Sequence, residues 1–212
     1  MSSETAVDVE KLSRRFGRRW ALADVSFQVR RGSVVMVAGH NGSGKSTLFR
    51  VLASILRPDR GTARVAGFDV AKERPDVRKS SALLSHYTYL YESLTARENL
   101  EVVADHMGVD QDATPLLERV GLASRAEDFV STFSAGMRKR LSFARVLLQD
   151  PEVIFLDEPY GQLDPDGFAL VDDVVRELKS RGRTVLMATH QVEHVGPLAD
   201  QHITLSEGRI QQ

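Results

Sequence analysis

The chain has 212 residues, a formal net charge of −1 and no cysteine. A length of this order suits one domain, or one domain that carries an inserted subdomain. The near-zero charge provides no global basic field, so we expect no nucleic-acid partner. The lack of cysteine excludes disulfides, thiolate metal sites and a cysteine nucleophile. No apolar run approaches the roughly 18 residues that span a bilayer, and the polar N-terminus lacks a signal-peptide core.

Strands are predicted in residues 5–39, and the last of them is the continuous apolar run 34–38. Such a run is expected of a strand that is buried on both faces. A glycine-rich break follows, and helical spacing then begins at Lys45 and is stopped by Pro58. Residues 60–70 have the glycine-bounded pattern of a short hairpin.

The middle of the chain, about residues 88–150, is rich in helical patterns, at 95–108, 115–122 and 134–150. The first of these begins with a capping box made by Thr95 and Glu98 and ends at Gly108. We therefore expect a helical subdomain in this region.

The remainder of the chain returns to alternating strand and helix. Its predicted elements are strand 153–156, helix 166–181, strand 184–188 and a terminal hairpin at 202–210. The whole pattern predicts an α/β fold with a mainly parallel central sheet, a small antiparallel N-terminal sheet and an inserted helical subdomain. We expect one domain over residues 1–212.

The segment GHNGSGKST, residues 39–47, matches the phosphate-loop pattern G-x-x-x-x-G-K-[ST] between a predicted strand and a predicted helix. Its glycines let successive N–H groups point inward, and the helix N-terminus adds its dipole. Lys45 would place a cation on the terminal phosphates, and the Ser46 hydroxyl could bind Mg²⁺. The candidate nucleotide-binding residues are Gly39, His40, Asn41, Gly42, Ser43, Gly44, Lys45, Ser46 and Thr47.

Two further segments carry the other half of a phosphate site. Asp157, at the end of a predicted buried strand, suits a carboxylate that holds Mg²⁺, and the adjacent Glu158 is placed to polarise an attacking water. His190 follows the predicted strand 184–188, where it could reach a γ-phosphate. These residues indicate hydrolysis of a nucleoside triphosphate.

The order of these motifs resembles the nucleotide-binding subunits of ATP-binding-cassette (ABC) transporters over nearly the whole chain. The segment 133-FSAGMRKR-140 is similar to the family signature LSGGQ-x-[QR]-R: Ser134 and Gly136 match it, whereas Ala135 and Met137 depart from it. Asp164 matches the aspartate of the D-loop, and Phe16 lies where the family has an aromatic that stacks on adenine.

The resemblance implies a P-loop NTPase core, ATP and Mg²⁺ as ligands, and a mechanism. Two cassettes would pack head to tail, so that Ser134 and its helix contact the γ-phosphate held by the other chain. The implied partners are a second nucleotide-binding subunit, in a homodimer with another copy of the chain or in a heterodimer, and separate integral membrane subunits. The implied location is cytoplasmic, on the inner face of the cell membrane.

The family glutamine of the Q-loop is missing from the sequence. His86 and Tyr87 lie at its place, and tyrosine cannot offer an amide oxygen to Mg²⁺. We expect weakened metal coordination or altered coupling to the membrane subunit, with nucleotide binding retained.

Several functions remain open within this resemblance. The length and the segments around LSH and DEPYGQLD look most like the haem-exporter ATPases of cytochrome c maturation. The alternatives are the ATPase of another small export system, for a drug, lipid or polysaccharide, and a regulatory ATP-binding module with little turnover. A soluble cassette ATPase of translation or DNA repair fits less well, because those usually carry two cassettes or a long coiled-coil insertion. The four arginines that flank Phe16 are interpreted as solvated charge at a strand end.

Overall fold

The computed structural model describes residues 4–108, 112–190 and 195–211. The chain divides into two compact units, the first built from Met1–Ser85, Pro151–Pro159 and Val175–Gln212, and the second from His86–Asp150 and Tyr160–Val174. The described strands are β1 (Thr5–Phe16), β2 (Arg19–Arg30), β3 (Val34–Ala38), β4 (Arg60–Val65), β5 (Phe68–Asp69), β6 (Ser81–Leu84), β7 (Val153–Asp157), β8 (Thr184–Ala188), β9 (Gln201–Ser206) and β10 (Arg209–Gln211). The described helices are α1 (Lys45–Leu52), α2 (Arg74–Ser80), α3 (Ala96–Met107), α4 (Thr114–Arg119), α5 (Ala135–Gln149) and α6 (Pro165–Ser180).

Two sheets form the first unit. The N-terminal sheet is antiparallel, in the order β2-β1-β4-β5, and the central sheet has the order β10-β9-β3-β8-β7-β6. In the central sheet β9, β3, β8, β7 and β6 are parallel, and β10 joins β9 antiparallel. The predicted α/β fold with a mainly parallel sheet and an antiparallel N-terminal sheet is confirmed.

The core of the first unit explains why β3, β7 and β8 read as unbroken apolar runs. Every residue of β7 and β8 is buried, because both faces of the central sheet are covered. The ring of Phe49 on α1 packs 5.5 Å from that of Phe155 on β7. This packing fixes α1, and with it the loop that precedes α1, against the ends of the parallel strands.

Helices α3, α4 and α5 form the second unit together with the first turns of α6. The predicted capping box is present: Thr95 Oγ1 accepts from Glu98 N at 3.1 Å, and Glu98 Oε2 accepts from Thr95 N at 2.7 Å. Gly108 ends α3 in the left-handed conformation, with φ of 68°. The predicted helical insert is confirmed. Among the described residues, no helix combines the length and apolar character needed to span a membrane.

The structure differs from the sequence-based expectations in two places. Helix α1 ends at Leu52 rather than near Pro58, because Ser54 adopts a left-handed conformation with φ of 55°. Helix α2 and strand β6 were not predicted. Both are short, and α2 buries only Val77, so neither leaves a clear periodic pattern.

Candidate nucleotide-binding site

The loop of residues 39–47 connects β3 to the N-terminus of α1, as predicted. Gly42 and Gly44 have φ of 80° and 112°, a region that favours glycine, and Ser43 N donates to His40 O at 3.1 Å. Leu48 N donates to Gly44 O at 2.8 Å, so the helix starts directly at the end of the loop. The free N–H groups of the first helical turn are a ready site for an anion.

Gly39 is required by space as well as by conformation. Its φ is 151°, and a Cβ at this position would lie 2.2 Å from the carbonyl oxygen of Leu205. No backbone shift of a few tenths of an ångström relieves such a contact. Gly42, in the same loop, has nothing within 4 Å of the position of a Cβ.

This difference gives a matched pair of variants. We expect Gly39→Ala to lower the free energy of unfolding by about 3 kcal/mol or more, through overlap with a backbone oxygen. Gly42→Ala should cost only about 1 kcal/mol, the usual penalty for a left-handed alanine. Thermal unfolding measures this difference. For a chain of this size, each kcal/mol of lost unfolding free energy lowers the unfolding midpoint by about 2–4 °C. Equal midpoints for the two variants would contradict the close approach at Gly39.

The Lys45 side chain turns back across the loop. Lys45 is only 6% exposed, and its Nζ donates to Gly39 O at 2.6 Å and to His40 O at 3.2 Å. The ammonium is therefore held at the centre of the loop by acceptors that belong to the loop itself. Phosphate oxygens are stronger acceptors than amide carbonyls, so an anion in the loop would compete for the same cation.

A cleft of about 420 Å³ opens in front of the loop. It is lined by Phe16, Arg19, Ala21, Asn41, Gly42, Gly44, Lys45, Ser46, Thr47 and Glu158. The structure thus brings the predicted aromatic, the phosphate loop and the predicted catalytic carboxylate to one cavity. Arg19 and Ala21 were missed in the sequence. Their nearness to Phe16, three and five residues along the chain, was the available signal.

The acidic pair lies where β7 ends. Asp157 is 8% exposed and pairs with Ala188 of β8 in the parallel register. Glu158 follows in a left-handed conformation, with φ of 49°, and its N–H donates to Ala188 O at 2.8 Å. This backbone geometry turns the chain at the end of the strand, so that the Glu158 side chain lines the cleft.

His190 contacts this carboxylate. Its Nδ1 lies 3.0 Å from Glu158 Oε2, a hydrogen-bond distance between residues 32 positions apart. The contact follows from the sheet: β7 and β8 are neighbours, and both side chains extend from the carboxyl ends of these strands. Nδ1 donates this hydrogen bond when it carries a proton.

The available oxygens suit Mg²⁺. The Ser46 hydroxyl on the first turn of α1 and the buried Asp157 carboxylate are hard oxygen donors, which this ion prefers. No group of three or more His, Asp or Glu that could hold a metal is found among the described residues. Mg²⁺ usually keeps several waters and binds through one or two carboxylates plus substrate phosphates, and Asp157 would supply one such carboxylate.

The signature-like residues belong to the second unit. Ser134 caps α5, and its Oγ accepts from Met137 N at 3.2 Å. Ser134 and Ala135 are exposed at the start of the helix. Gly136 is confined, because a Cβ there would lie 3.1 Å from Gln162 O. The helix therefore presents its N-terminus to solvent.

Asp164 is fixed within the second unit. Its Oδ1 accepts from Gly167 N at 2.8 Å and from Arg140 Nη2 at 2.9 Å. These hydrogen bonds hold the pKa of the Asp164 carboxyl below its usual value, and the bond from Gly167 N has the larger effect. His86 and Tyr87, at the Q-loop position, are both exposed and contact each other edge to face, with ring centroids 5.8 Å apart.

Comparison with known proteins identifies the family. Residues 22–161 match the family model described as ABC transporter. The daunorubicin resistance ATP-binding protein DrrA3 of Streptomyces coeruleorubidus is 42% identical over 98% of this chain and 67% of its own length. The Nod factor export ATP-binding protein I of Paraburkholderia xenovorans is 34% identical over 97% of this chain and 69% of its own length. The chain thus spans about two thirds of the length of these relatives.

Solved structures give the same family. The structure of an ATP-binding subunit of an ABC transporter superposes with a TM-score of 0.91 at 30% identity, covering 98% of this chain and 89% of the other. The cbiO1 protein from Clostridium perfringens, part of the ABC transporter complex cbiONQ, gives 0.84 at 27% identity, over 99% and 88%.

These comparisons also bear on the substrate. The expected link to haem export for cytochrome c biogenesis is not supported, because the relatives above are drug-resistance and Nod factor export proteins. Export of another small molecule, the alternative left open by the sequence, fits them. The chain belongs to the ABC transporter family as an ATP-binding subunit, an ATPase coupled to transport.

Proposed function

We propose that this chain hydrolyses ATP to drive export of a small molecule, such as a drug, through separate membrane subunits. The observation that carries the hydrolysis is the contact between Glu158 and His190 at a cleft that the phosphate loop also lines. A module that only bound ATP would need the loop but not this carboxylate and imidazole. The substrate class is supported by relatives named for daunorubicin resistance and Nod factor export.

The proposed roles follow from where each group lies. The loop N–H groups and Lys45 bind the β- and γ-phosphates, and Phe16 supports the base. Ser46 and Asp157 would hold Mg²⁺, which would neutralise charge on the phosphates. Glu158 polarises the attacking water as the general base.

His190 orients that base. Its Nδ1 gives Glu158 Oε2 a hydrogen-bond partner at 3.0 Å, next to the cleft that Glu158 lines. In this arrangement the proton leaving the water moves to Glu158, while the charge that develops on the phosphate meets Lys45 and the loop N–H groups.

A second copy of the chain is proposed to complete the site. The exposed N-terminus of α5, capped by Ser134, offers N–H groups and a helix dipole of the kind that binds anions. We propose that Ser134, Ala135, Gly136 and Met137 face the γ-phosphate held by a partner chain, with Asp164 nearby in a homodimer. Residues 1–212 would act as one nucleotide-binding domain, with residues of about 88–150 as its helical subdomain.

The membrane subunits are a further part of the proposal, and they would place this chain at the cytoplasmic face of the cell membrane. Exposed Tyr87, Tyr89 and Tyr91 form an aromatic stretch in the second unit, with 68%, 57% and 57% of their surfaces accessible. Exposed aromatics that lie close together commonly mark contact surfaces. Tyr87 stays the predicted position of altered coupling or weakened metal coordination.

Export itself can be measured in cells. Co-expression of the chain with its membrane subunits should lower the steady-state accumulation of a drug such as daunorubicin. Glu158→Gln should abolish that effect because transport needs turnover. The control is the chain with Glu118→Gln, the same chemical change at an exposed residue of α4. Co-expressed with the membrane subunits, it should support normal export. If accumulation is unchanged for drugs, lipids and polysaccharides alike while ATP is hydrolysed, the export assignment is wrong.

A further inference from the structure

Arg14 lies against the aromatic side chain of the nucleotide cleft. Its guanidinium carbon is 5.1 Å from the centroid of the Phe16 ring, within the range of a cation–π contact. Phe16 lines the cleft and is 48% exposed, whereas Arg14 contacts the ring without lining the cleft. The guanidinium therefore contacts the ring from outside the cavity.

The guanidinium is itself held in place. Its Nη1 donates to Arg57 O at 3.1 Å and to Asp59 Oδ2 at 3.3 Å. The same carboxylate oxygen accepts from Arg15 N at 2.9 Å, and Asp59 N donates to Ser13 O at 2.9 Å. The backbone of β1 thus fixes Asp59, which directly precedes β4. Asp59 in turn fixes Arg14, and Arg14 contacts Phe16.

We propose that Arg14 is a positioning residue that holds the Phe16 ring ready to stack on the nucleotide base. This inference rests on the proposed ATP site and adds a residue that the sequence motifs do not assign. An exposed aromatic ring would otherwise lose rotamer freedom when the base binds. A fixed cation in contact with the ring already restricts its rotamers before the base binds. Binding then causes a smaller loss of conformational entropy, which is the general advantage of preorganisation.

A second aromatic on the same sheet provides an internal control. The Trp20 ring lies 5.9 Å from the Arg15 guanidinium carbon and 5.3 Å from that of Arg60, so it has the same kind of contact as Phe16. Trp20 does not line the cleft. Replacing Arg60 removes an arginine–aromatic contact at Trp20 in the same sheet and leaves the contact at Phe16 intact.

The test compares ATP with inorganic triphosphate, which has the phosphates and no base. Calorimetric titration in Mg²⁺ should show that Arg14→Gln raises the Kd for ATP about two- to fivefold, the size expected for one exposed cation–π contact. The Kd for triphosphate should not change. Arg60→Gln should change neither constant.

A double-mutant cycle then asks whether Arg14 acts through the ring. In a Phe16→Leu background, Arg14→Gln should have no further effect on the Kd for ATP. An unchanged Kd for ATP in the single variant overturns the proposal. Equal weakening of ATP and triphosphate also overturns it, as does a full effect in the Phe16→Leu background, because each shows that Arg14 acts on charge or on the fold rather than on the stack.

Two further measurements keep the result decisive. Asp59→Asn leaves the Arg14 guanidinium in the chain but weakens its anchor, so it should raise the Kd for ATP in the same direction by a smaller factor. If Arg14→Gln does not fold, as judged by thermal unfolding, an unchanged ATP affinity in Asp59→Asn overturns the proposal. Failure of the wild type to bind either ATP or triphosphate would instead refute the proposed function.

Discussion

Replacing Glu158 with Gln is expected to lower the rate of ATP hydrolysis by about 10²- to 10⁴-fold, the usual contribution of a general base. The substitution keeps the size of the side chain and its hydrogen bond with His190 but removes the charge that accepts the proton. ATP binding should persist, because the phosphate loop and Lys45 are untouched.

The measurement is steady-state release of phosphate beside the Kd for ATP. Glu118→Gln, at an exposed residue of α4, is the matched control and should keep the wild-type rate of phosphate release. If wild type and Glu158→Gln release phosphate at the same low rate while both bind ATP, the chain is a regulatory ATP-binding module and not a turning-over enzyme.

Lys45→Ala is expected to weaken ATP binding by about 10- to 100-fold. The buried ammonium already donates to Gly39 O and His40 O, so it is fixed at the point where the phosphates would bind. Losing one charge-assisted hydrogen bond of this kind costs about 1.5–3 kcal/mol, and 1.4 kcal/mol corresponds to a factor of ten.

Shortening the lysine also removes its hydrogen bonds to Gly39 O and His40 O, so any loss of stability is measured separately by thermal unfolding. Helix α1 keeps its first backbone hydrogen bond, from Leu48 N to Gly44 O, when the lysine side chain is shortened. Calorimetric titration with ATP measures the affinity, and Lys79→Ala, exposed on α2, serves as control. An unchanged Kd in Lys45→Ala would show that the loop does not hold the phosphates.

The fold was predictable where the signal is local and strong. Strand β3 and the loop after it combine an unbroken apolar run with fixed glycine spacing, and Asp157 ends a second such run. Helix α2 and strand β6 could not be predicted, because seven and four residues carry too little periodicity to stand out. Helix α1 ends early because Ser54 adopts a left-handed conformation. No sequence pattern predicts that conformation strongly for a serine.

The site was predictable residue by residue but not as an assembly. Lys45, Glu158 and His190 each follow from a motif, yet the 3.0 Å contact between the last two comes from the pairing of β7 with β8. The support of Phe16 by Arg14 depends on Asp59, which is 45 residues away in the chain. Contacts of this kind arise from sheet register, which a single sequence does not reveal.

The substrate illustrates a different limit. The segments around the Q-loop position favoured haem export, whereas the relatives support export of other small molecules. In the proposed function the cargo passes through separate membrane subunits, so the residues proposed to bind and hydrolyse ATP carry little information about it.

The most direct test of this account is phosphate release by the purified wild-type chain with MgATP, measured over a range of protein concentrations. We predict Mg²⁺-dependent release whose rate per chain rises with concentration, because in the proposed dimer a second chain supplies Ser134 to each site. Tight ATP binding with no phosphate release at any concentration would contradict the account.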